Sequence, residues 1–258
     1  MKSEEKRKLL NEIKEYWNQH IHDLEIVQHP IGSQGFFEDL DEYRFDKLRY
    51  LPTVVDFKGY NGKKVLEIGC GAGIDLIRFA RGGAEVTGVD LSETAIDLAK
   101  KNFQINGLKA DLRVMNGEAL EFRDKSFDLV YVHGVLQYTA DSRKMVEQSY
   151  RVLKEGGEFI GMVYNAKGWL MMLSKLMKVG LEHEDAPVLD LYTIKEFKEL
   201  LSEFKEVKLV PERFPVKTRL HKGLKAFFYN TLFVNMFNLI PRPLVRPWGW
   251  HIMAFGIK

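Results

Sequence analysis

The sequence predicts an α/β fold, a three-layer sandwich in which a seven-stranded, mainly parallel sheet lies between helices. Three observations lead there. From Lys63 onward, short runs rich in β-branched residues alternate with longer stretches of helical period, the pattern of right-handed βαβ crossovers. A turn with three glycines in five positions, "GCGAG", joins the first run to the first helical stretch. At 258 residues and 45% hydrophobic content the chain can bury one full core, whereas two separate domains would be cramped.

The elements follow in order. The N-terminal stretch carries Leu9, Leu10, Ile13, Tyr16, Trp17, Ile21 and Leu24 at helical spacing, which predicts an amphipathic helix laid against the body. Residues 1–60 are read as a helical cap and 61–258 as the main domain. "KKVLEIG" reads as a strand, "IDLIRFARGG" as a helix stopped by glycine and "AEVTGVD" as a strand. "SETAIDLAKKNFQINGL" reads as a helix opened by Ser92. "ADLRVMNG" and "SFDLVYVHG" are further strands, "DSRKMVEQSYRVLKEGG" a helix and "EFIGMVYN" a fifth strand. A methionine-rich insertion, 166–190, precedes "TIKEFKELLSEF", a helix opened by a capping box of Thr193 and Glu196 with Tyr192 and Phe197 as a hydrophobic staple. "KEVKLVPE" is a sixth strand. A second insertion, 212–247, leads to the last strand, "GWHIMAFGIK".

Composition narrows the function. The formal charge is +2, so the chain as a whole has no excess for binding polyanions and no DNA partner is expected. One cysteine, Cys70, excludes a disulfide framework and any multi-cysteine metal site. The charged N-terminus lacks the apolar centre of a signal peptide, and no run reaches the roughly 20 apolar residues of a membrane-spanning helix. The expectation is a cytoplasmic protein, monomer or homodimer.

The glycine turn asks what approaches its backbone. Gly69, Gly71 and Gly73 let a ligand come close where helix N–H groups are free. A dinucleotide fingerprint would need a small residue at 74, and this chain has Ile74. Glu67 stands before the loop instead; its carboxylate repels a pyrophosphate and suits an ammonium group. Asp90 closes the second strand, where a carboxylate can take both hydroxyls of a ribose. Glu118, in "MNGEALEF", follows the third strand, within reach of an adenine amine. Adenosine at one side, an amino acid at the other and no phosphate between describe S-adenosylmethionine.

On these residues the chain resembles the class I S-adenosylmethionine-dependent methyltransferases, in their type-11, small-molecule-like branch, over about Lys63 to Asn165. The resemblance implies a Rossmann-like sandwich whose last strand is antiparallel, with S-adenosylmethionine as cofactor and S-adenosylhomocysteine as product. It implies that Glu67, Gly69, Cys70, Gly71 and Gly73 meet the methionine part. Asp90 would hold the ribose with Leu91 beside the adenine, and Gly117, Glu118 and Ala119 would lie at the adenine amine. In "HGVLQY" the His133 carbonyl would face the methionine amine, and Gln137 and Tyr138 stand where relatives often have histidines. "YRFDKLRY" offers Tyr43 and Arg44 as a closing pair over the cofactor.

Other readings stand beside these. His20, His22, Asp23, Glu25 and His29 have metal-like composition, but His20 does not share the face of His22 and His29; no metal is assigned. His133 and Tyr138 are the candidate catalytic residues, with His133 either general base or backbone contact only. Tyr138, Tyr164 and Asn165 are the candidate substrate contacts at the strand ends. "HGVLQY" lacks the Asn/Asp-Pro-Pro-aromatic signature of nucleobase amine methylases. Residues Glu212 to Pro247 carry seven Lys or Arg against one acid, beside "FFYNTLFVNMFNLI". Either this segment contacts a membrane or lipid peripherally, or it lines the pocket of an apolar acceptor as a lid, or Phe227, Phe228, Phe233, Phe237 and Ile240 pack into the core. The expected activity is methyl transfer to a small, apolar or lipid-like molecule at O, S, N or activated C. The alternatives are an RNA or protein methyltransferase and a non-catalytic cofactor-binding module.

Overall fold

The computed structural model describes residues 3–177, 180–217 and 223–258; the parts of the two insertions at 178–179 and 218–222 lie outside the described residues. Seven strands form one sheet: β1 (Lys64–Ile68), β2 (Glu85–Asp90), β3 (Asp111–Val114), β4 (Phe127–His133), β5 (Leu153–Tyr164), β6 (Lys205–Glu212) and β7 (His251–Ile257). Their order is β3-β2-β1-β4-β5-β7-β6. Strands β1 to β5 pair in parallel, and β7 runs antiparallel to both β5 and β6. The chain winds outward from β1 through β2 to β3, then returns to β4 on the other side of β1. The switch point where such sheets hold ligands therefore lies above the C-terminal ends of β1 and β4.

Sequence explains the central strands directly. Val65 and Leu66 of β1 are fully buried, and Leu129 to Val132 of β4 show no exposure at all, as expected where helices cover both faces. One apolar cluster gathers Leu76, Phe79, Ile96 and Phe103 from α4 (Ile74–Arg81) and α5 (Glu93–Ile105) on one face of the sheet. The other face carries Met145, Val146 and Val152 of α6 (Ser142–Val152) with Phe197 and Leu200 of α8 (Ile194–Leu200). Ser92 caps α5 by accepting from the Ala95 N–H. At α8 the capping box forms in both directions, and the Tyr192 and Phe197 rings stand 6.1 Å apart.

One helix ends sooner than its sequence suggests. Helix α6 stops at Val152, and Leu153 already pairs with Phe127 as the first residue of β5. Periodicity carries "RVLKEGG" as helix, but fully buried Leu153 is worth more in the sheet, and Gly156 at φ 72° breaks the helical path.

The N-terminal segment folds as α1 (Ser3–Gln19), α2 (Gln34–Lys47) and the short α3 (Leu51–Val54). Helix α1 is held to the body largely by polar tethers: Lys14 pairs with Glu93, and Asn18 Oδ1 accepts from Ser92 Oγ at 2.8 Å. Ile13 is its fully packed residue, at 4% exposure. Leu51, Val55 and Phe57 continue into the apolar cluster beneath the sheet, so packing does not break at residue 60. Helix α7 (Trp169–Met177) follows β5, while α9 (Leu224–Phe228), a π-helical turn (Tyr229–Phe233), α10 (Val234–Leu239) and α11 (Arg242–Val245) precede β7.

Candidate active site

The glycine turn lies on the switch point. Its path is fixed by Gly69 and Cys70, whose N–H groups donate to the Val89 carbonyl at 2.7 and 3.1 Å. Gly69 has φ 71°, and a Cβ there would meet Val135 Cγ2 at 2.3 Å, so glycine is required on both conformational and steric grounds. Around Gly71, at φ 53°, nothing stands within 4 Å of a Cβ; its freedom serves the open space beside it. Gly73 sits in the left-handed region as the N-cap of α4 and packs toward Phe103.

Asp90 organises this turn. Its Oδ2 accepts from the Gly71 N–H and its Oδ1 from the Ser92 N–H, both at 2.9 Å. Burial raises the carboxyl, and the N–H donors partly offset this. Each oxygen keeps lone-pair capacity on the cavity side. Glu67 is 4% exposed, and its Oε2 has no hydrogen-bond partner. Burial, then the nearby Asp75 carboxylate, pushes Glu67 well above the ordinary range, with Arg44 working the other way. An orphaned carboxylate oxygen at a cavity wall is a place for a cation. The residues present thus fit an ammonium at Glu67, vicinal hydroxyls at Asp90 and a backbone cradle between them.

One cavity of about 250 Å³ joins these groups. Glu67, Gly69, Cys70, Gly71, Asp90, Leu91 and Gly117 line it together with Arg44, His133, Tyr138 and Tyr164. Five expected site residues lie outside this wall. Gly73 shapes the turn from behind, toward Phe103 rather than the cavity. Glu118 is buried at 3%, but Oε1 accepts from Thr139 Oγ1 (2.6 Å) and the Asp141 N–H (2.9 Å), and Oε2 pairs with Lys6 at 3.0 Å. It braces the loop after β4 and the first turn of α1, while Met115, Asn116 and Gly117 supply the wall at that end. Ala119 is exposed to solvent. Tyr43 is covered by Lys47, whose ammonium lies 5.3 Å from the ring centre. Asn165 donates to the carbonyls of Pro247 and Gly249 at 3.0 and 2.8 Å, pinning the entry to β7.

Arg44 works through a residue that the sequence did not single out. Its guanidinium holds Asp75 bidentately, at 2.6 and 2.5 Å, and Tyr131 donates to the same carboxylate at 2.8 Å. Burial pushes Asp75 up, but Arg44 outweighs it and keeps the group below its usual range. Arg44 Nη2 also donates to His133 Nδ1 at 3.2 Å. From the far end of the chain, Arg213 Nη1 donates to His251 Nε2 at 2.9 Å. Arginine only donates, so both imidazoles present a lone pair to an arginine. Their remaining nitrogens meet one hydroxyl: Tyr50 Oη lies 2.7 Å from His251 Nδ1 and 3.4 Å from His133 Nε2, and donates toward Met253 Sδ at 3.8 Å.

Both histidines are therefore uncharged. Burial, then Arg44, pulls His133 down to about 3, and burial with Arg213 takes His251 well below its ordinary value. This geometry argues against His133 as general base. Folded-state values below the unfolded value of about 6.5 mean that the unfolded chain binds the extra protons. The stability this contributes is complete above pH 6.5 and is lost as pH falls toward the folded value. We expect His133→Gln to flatten the decline of Tm between about pH 6.5 and 4; unchanged slopes in the two proteins would refute the neutral assignment.

Away from the glycine turn the wall is aromatic and charged. Trp17 and Tyr138 meet edge to face at 5.1 Å, and Tyr138 and Tyr164 at 6.0 Å. Burial raises both tyrosine hydroxyls, Tyr164 to about 12. His20 donates from Nδ1 to the Tyr16 carbonyl at 2.8 Å, which leaves Nε2 as its lone-pair side. His22, Asp23 and Glu182 have metal-like spacing. Lys47 already occupies the cation position there, 2.8 Å from Asp23 and 2.5 Å from Glu182, with Arg213 3.6 Å from Glu182. Of the five described non-glycine residues at positive φ, Asp23 and Arg213 lie on this wall, and His183 contacts it through His22, its Nε2 2.7 Å from His22 Nδ1. Backbone strain concentrated at one cavity wall is a mark of a functional surface.

Comparison with known proteins fits this geometry. Residues 66–161 match the model of a family described as a methyltransferase domain. The chain is 33% identical over 140 residues to a ubiquinone biosynthesis O-methyltransferase of Idiomarina loihiensis, an alignment covering 53% of this chain and 57% of that protein. A ubiquinone biosynthesis O-methyltransferase of Nitrosomonas europaea is 33% identical over 134 residues, covering 52% and 56%. The chain thus spans little more than half the length of these relatives. Among solved structures, geranyl diphosphate C-methyltransferase from Streptomyces coelicolor, in complex with Mg2+, geranyl diphosphate and S-adenosyl-L-homocysteine, aligns with a TM-score of 0.60 at 14% identity over 96% of this chain and 97% of that one. An Aquifex aeolicus SAM-dependent methyltransferase aligns at 0.57 and 14% identity over 86% and 96%. Strand order and the glutamate-led glycine turn fit the class I S-adenosylmethionine-dependent methyltransferase fold, and residues 66–161 carry the methyltransferase domain.

Proposed function

We propose that the protein methylates an oxygen of a small, largely apolar aromatic or lipid-like acceptor. The carrying observation is the single cavity that runs from Glu67 and Asp90 to the aromatic wall of Trp17, Tyr138 and Tyr164. When bound, S-adenosylmethionine supplies an electrophilic methyl on a sulfonium. Glu67 would take its ammonium, Asp90 its ribose hydroxyls, and the backbone at Gly69 to Gly71 its carboxylate side. Leu91, Met115, Asn116 and Gly117 would enclose the adenine. Trp17, Tyr138 and Tyr164 would orient the acceptor and exclude water, the chief contribution a protein makes to in-line displacement. The two O-methyltransferase relatives favour oxygen over nitrogen, sulfur or carbon as the nucleophile.

The test is turnover with S-adenosylmethionine and a panel of phenols, catechols, thiols and alcohols. S-adenosylhomocysteine would be measured and the products analysed by mass spectrometry. Saturable O-methylation without RNA or protein present is expected. Turnover only with a macromolecule would overturn the small-acceptor reading. Tight cofactor binding with no S-adenosylhomocysteine formed across the panel would instead favour a non-catalytic module.

A further inference from the structure

The segment before β7 shows two apolar faces. Phe233 and Phe237 turn inward: both lie near Trp169, with centroids 6.1 and 6.4 Å away, and Phe237 also meets Phe214 at 6.2 Å. Ala226 and Val234 are buried with them. The opposite face is equally apolar and points to solvent: Leu224 is 76% exposed, Phe227 60%, Met236 59%, Leu239 83% and Leu244 66%. The sequence-based choice between core and surface is thus resolved residue by residue, Phe233 and Phe237 going to the core and Phe227, Phe228 and Ile240 to the surface. Single exposed apolar residues are ordinary, but this concentration in one segment marks an interaction surface.

Polar groups on these helices do little to wet that face. Thr231 Oγ1 donates to the Phe227 carbonyl at 2.6 Å, and Asn235 Nδ2 to the Thr231 carbonyl at 2.7 Å. Asn238 Nδ2 reaches the Pro215 carbonyl at 3.4 Å. The same stretch of sequence is basic: from Lys217 to Arg246 it holds six Lys or Arg and no Asp or Glu. Arg242 and Lys217 are exposed there. No described helix is long and apolar enough to cross a bilayer, and the sixteen residues from Leu224 to Leu239 would extend only about 24 Å as one helix.

We infer that residues 224–248 form a surface that lies flat on an anionic lipid bilayer, with Leu224, Phe227, Met236, Leu239 and Leu244 entering the boundary between headgroups and acyl chains and the surrounding Lys and Arg facing acidic headgroups. Apolar area and basic charge in one segment are the two components of such binding. A second copy of the chain fits less well, because a twofold interface would set this basic segment against itself. Vesicle binding is measured without turnover, so it stands apart from the methyl-transfer reading.

The test is co-sedimentation of the full chain with vesicles of phosphatidylcholine alone and of phosphatidylcholine with about 30 to 50% phosphatidylglycerol, a probe composition chosen on general grounds. Binding to the anionic vesicles should exceed binding to the neutral ones by tenfold or more and weaken with salt. The triple variant Phe227→Ser, Leu239→Ser, Leu244→Ser should lose at least tenfold, with cofactor affinity and Tm kept. Ile105→Ser, an exposed apolar position on α5, should change nothing. Equal or absent binding to both vesicle types, or full binding by the triple variant, would overturn the inference. A concentration-dependent dimer abolished by the triple variant, with no vesicle binding, would assign the face to self-association instead.

Discussion

Asp90→Ala should weaken cofactor binding by about 2 to 3 kcal/mol, a Kd roughly thirty- to 150-fold higher, the scale of losing charge-assisted hydrogen bonds to a ligand. The structure gives this substitution a second route to harm. The Asp90 carboxylate also accepts from the Gly71 and Ser92 N–H groups, so its removal loosens the turn that cradles the ligand and the start of α5. Asp90→Asn retains one acceptor oxygen and should lose less. Calorimetry with S-adenosylhomocysteine separates these cases, and a Kd within threefold of the parent for Asp90→Ala would eliminate the ribose assignment.

The larger effect on stability is expected at Arg44. Its side chain pairs with Asp75, which is 2% exposed. Arg44→Ala leaves that carboxylate buried beside Glu67 with only the Tyr131 hydroxyl for company. Breaking such a pair from one side costs about 3 to 5 kcal/mol, which for a chain of this size lowers Tm by about 10 °C. Removing the charge from both sides should cost much less, so Arg44→Met with Asp75→Asn should recover most of the loss. If Arg44→Ala melts within about 2 °C of the parent, the pair is not the anchor that its burial implies.

What could be read in the sequence, and what could not, divides along a physical line. The seven strands, the caps at Ser92 and Thr193 and the geometry of the glycine turn are local, because neighbouring residues set period, capping and turn geometry. Asp75 was invisible for the opposite reason. An acid in the first turn of a helix has an ordinary explanation in the helix dipole, and only tertiary placement brings Arg44 and Tyr131 onto it. Arg213 and His251 had no signal near the glycine turn. They reach the cavity because β7 pairs antiparallel with β5, setting His251 opposite Tyr164, and register across such a distance is not written in any window of sequence. Glu118 shows the converse case. Order and spacing recommended it, but a carboxylate this buried took the nearest donors, and those belong to Thr139, Asp141 and Lys6.

The run from Arg213 through His251, Tyr50 and His133 to Arg44 has a consequence for which molecules can react here. Each imidazole lone pair already faces a guanidinium, so along the sheet this wall is closed wiring: it holds a shape and conducts no proton. Under the proposed activity, a molecule entering the cavity gains no basicity from that side. Its own acidity becomes the criterion of choice, favouring phenols that ionise readily over aliphatic alcohols of the same shape.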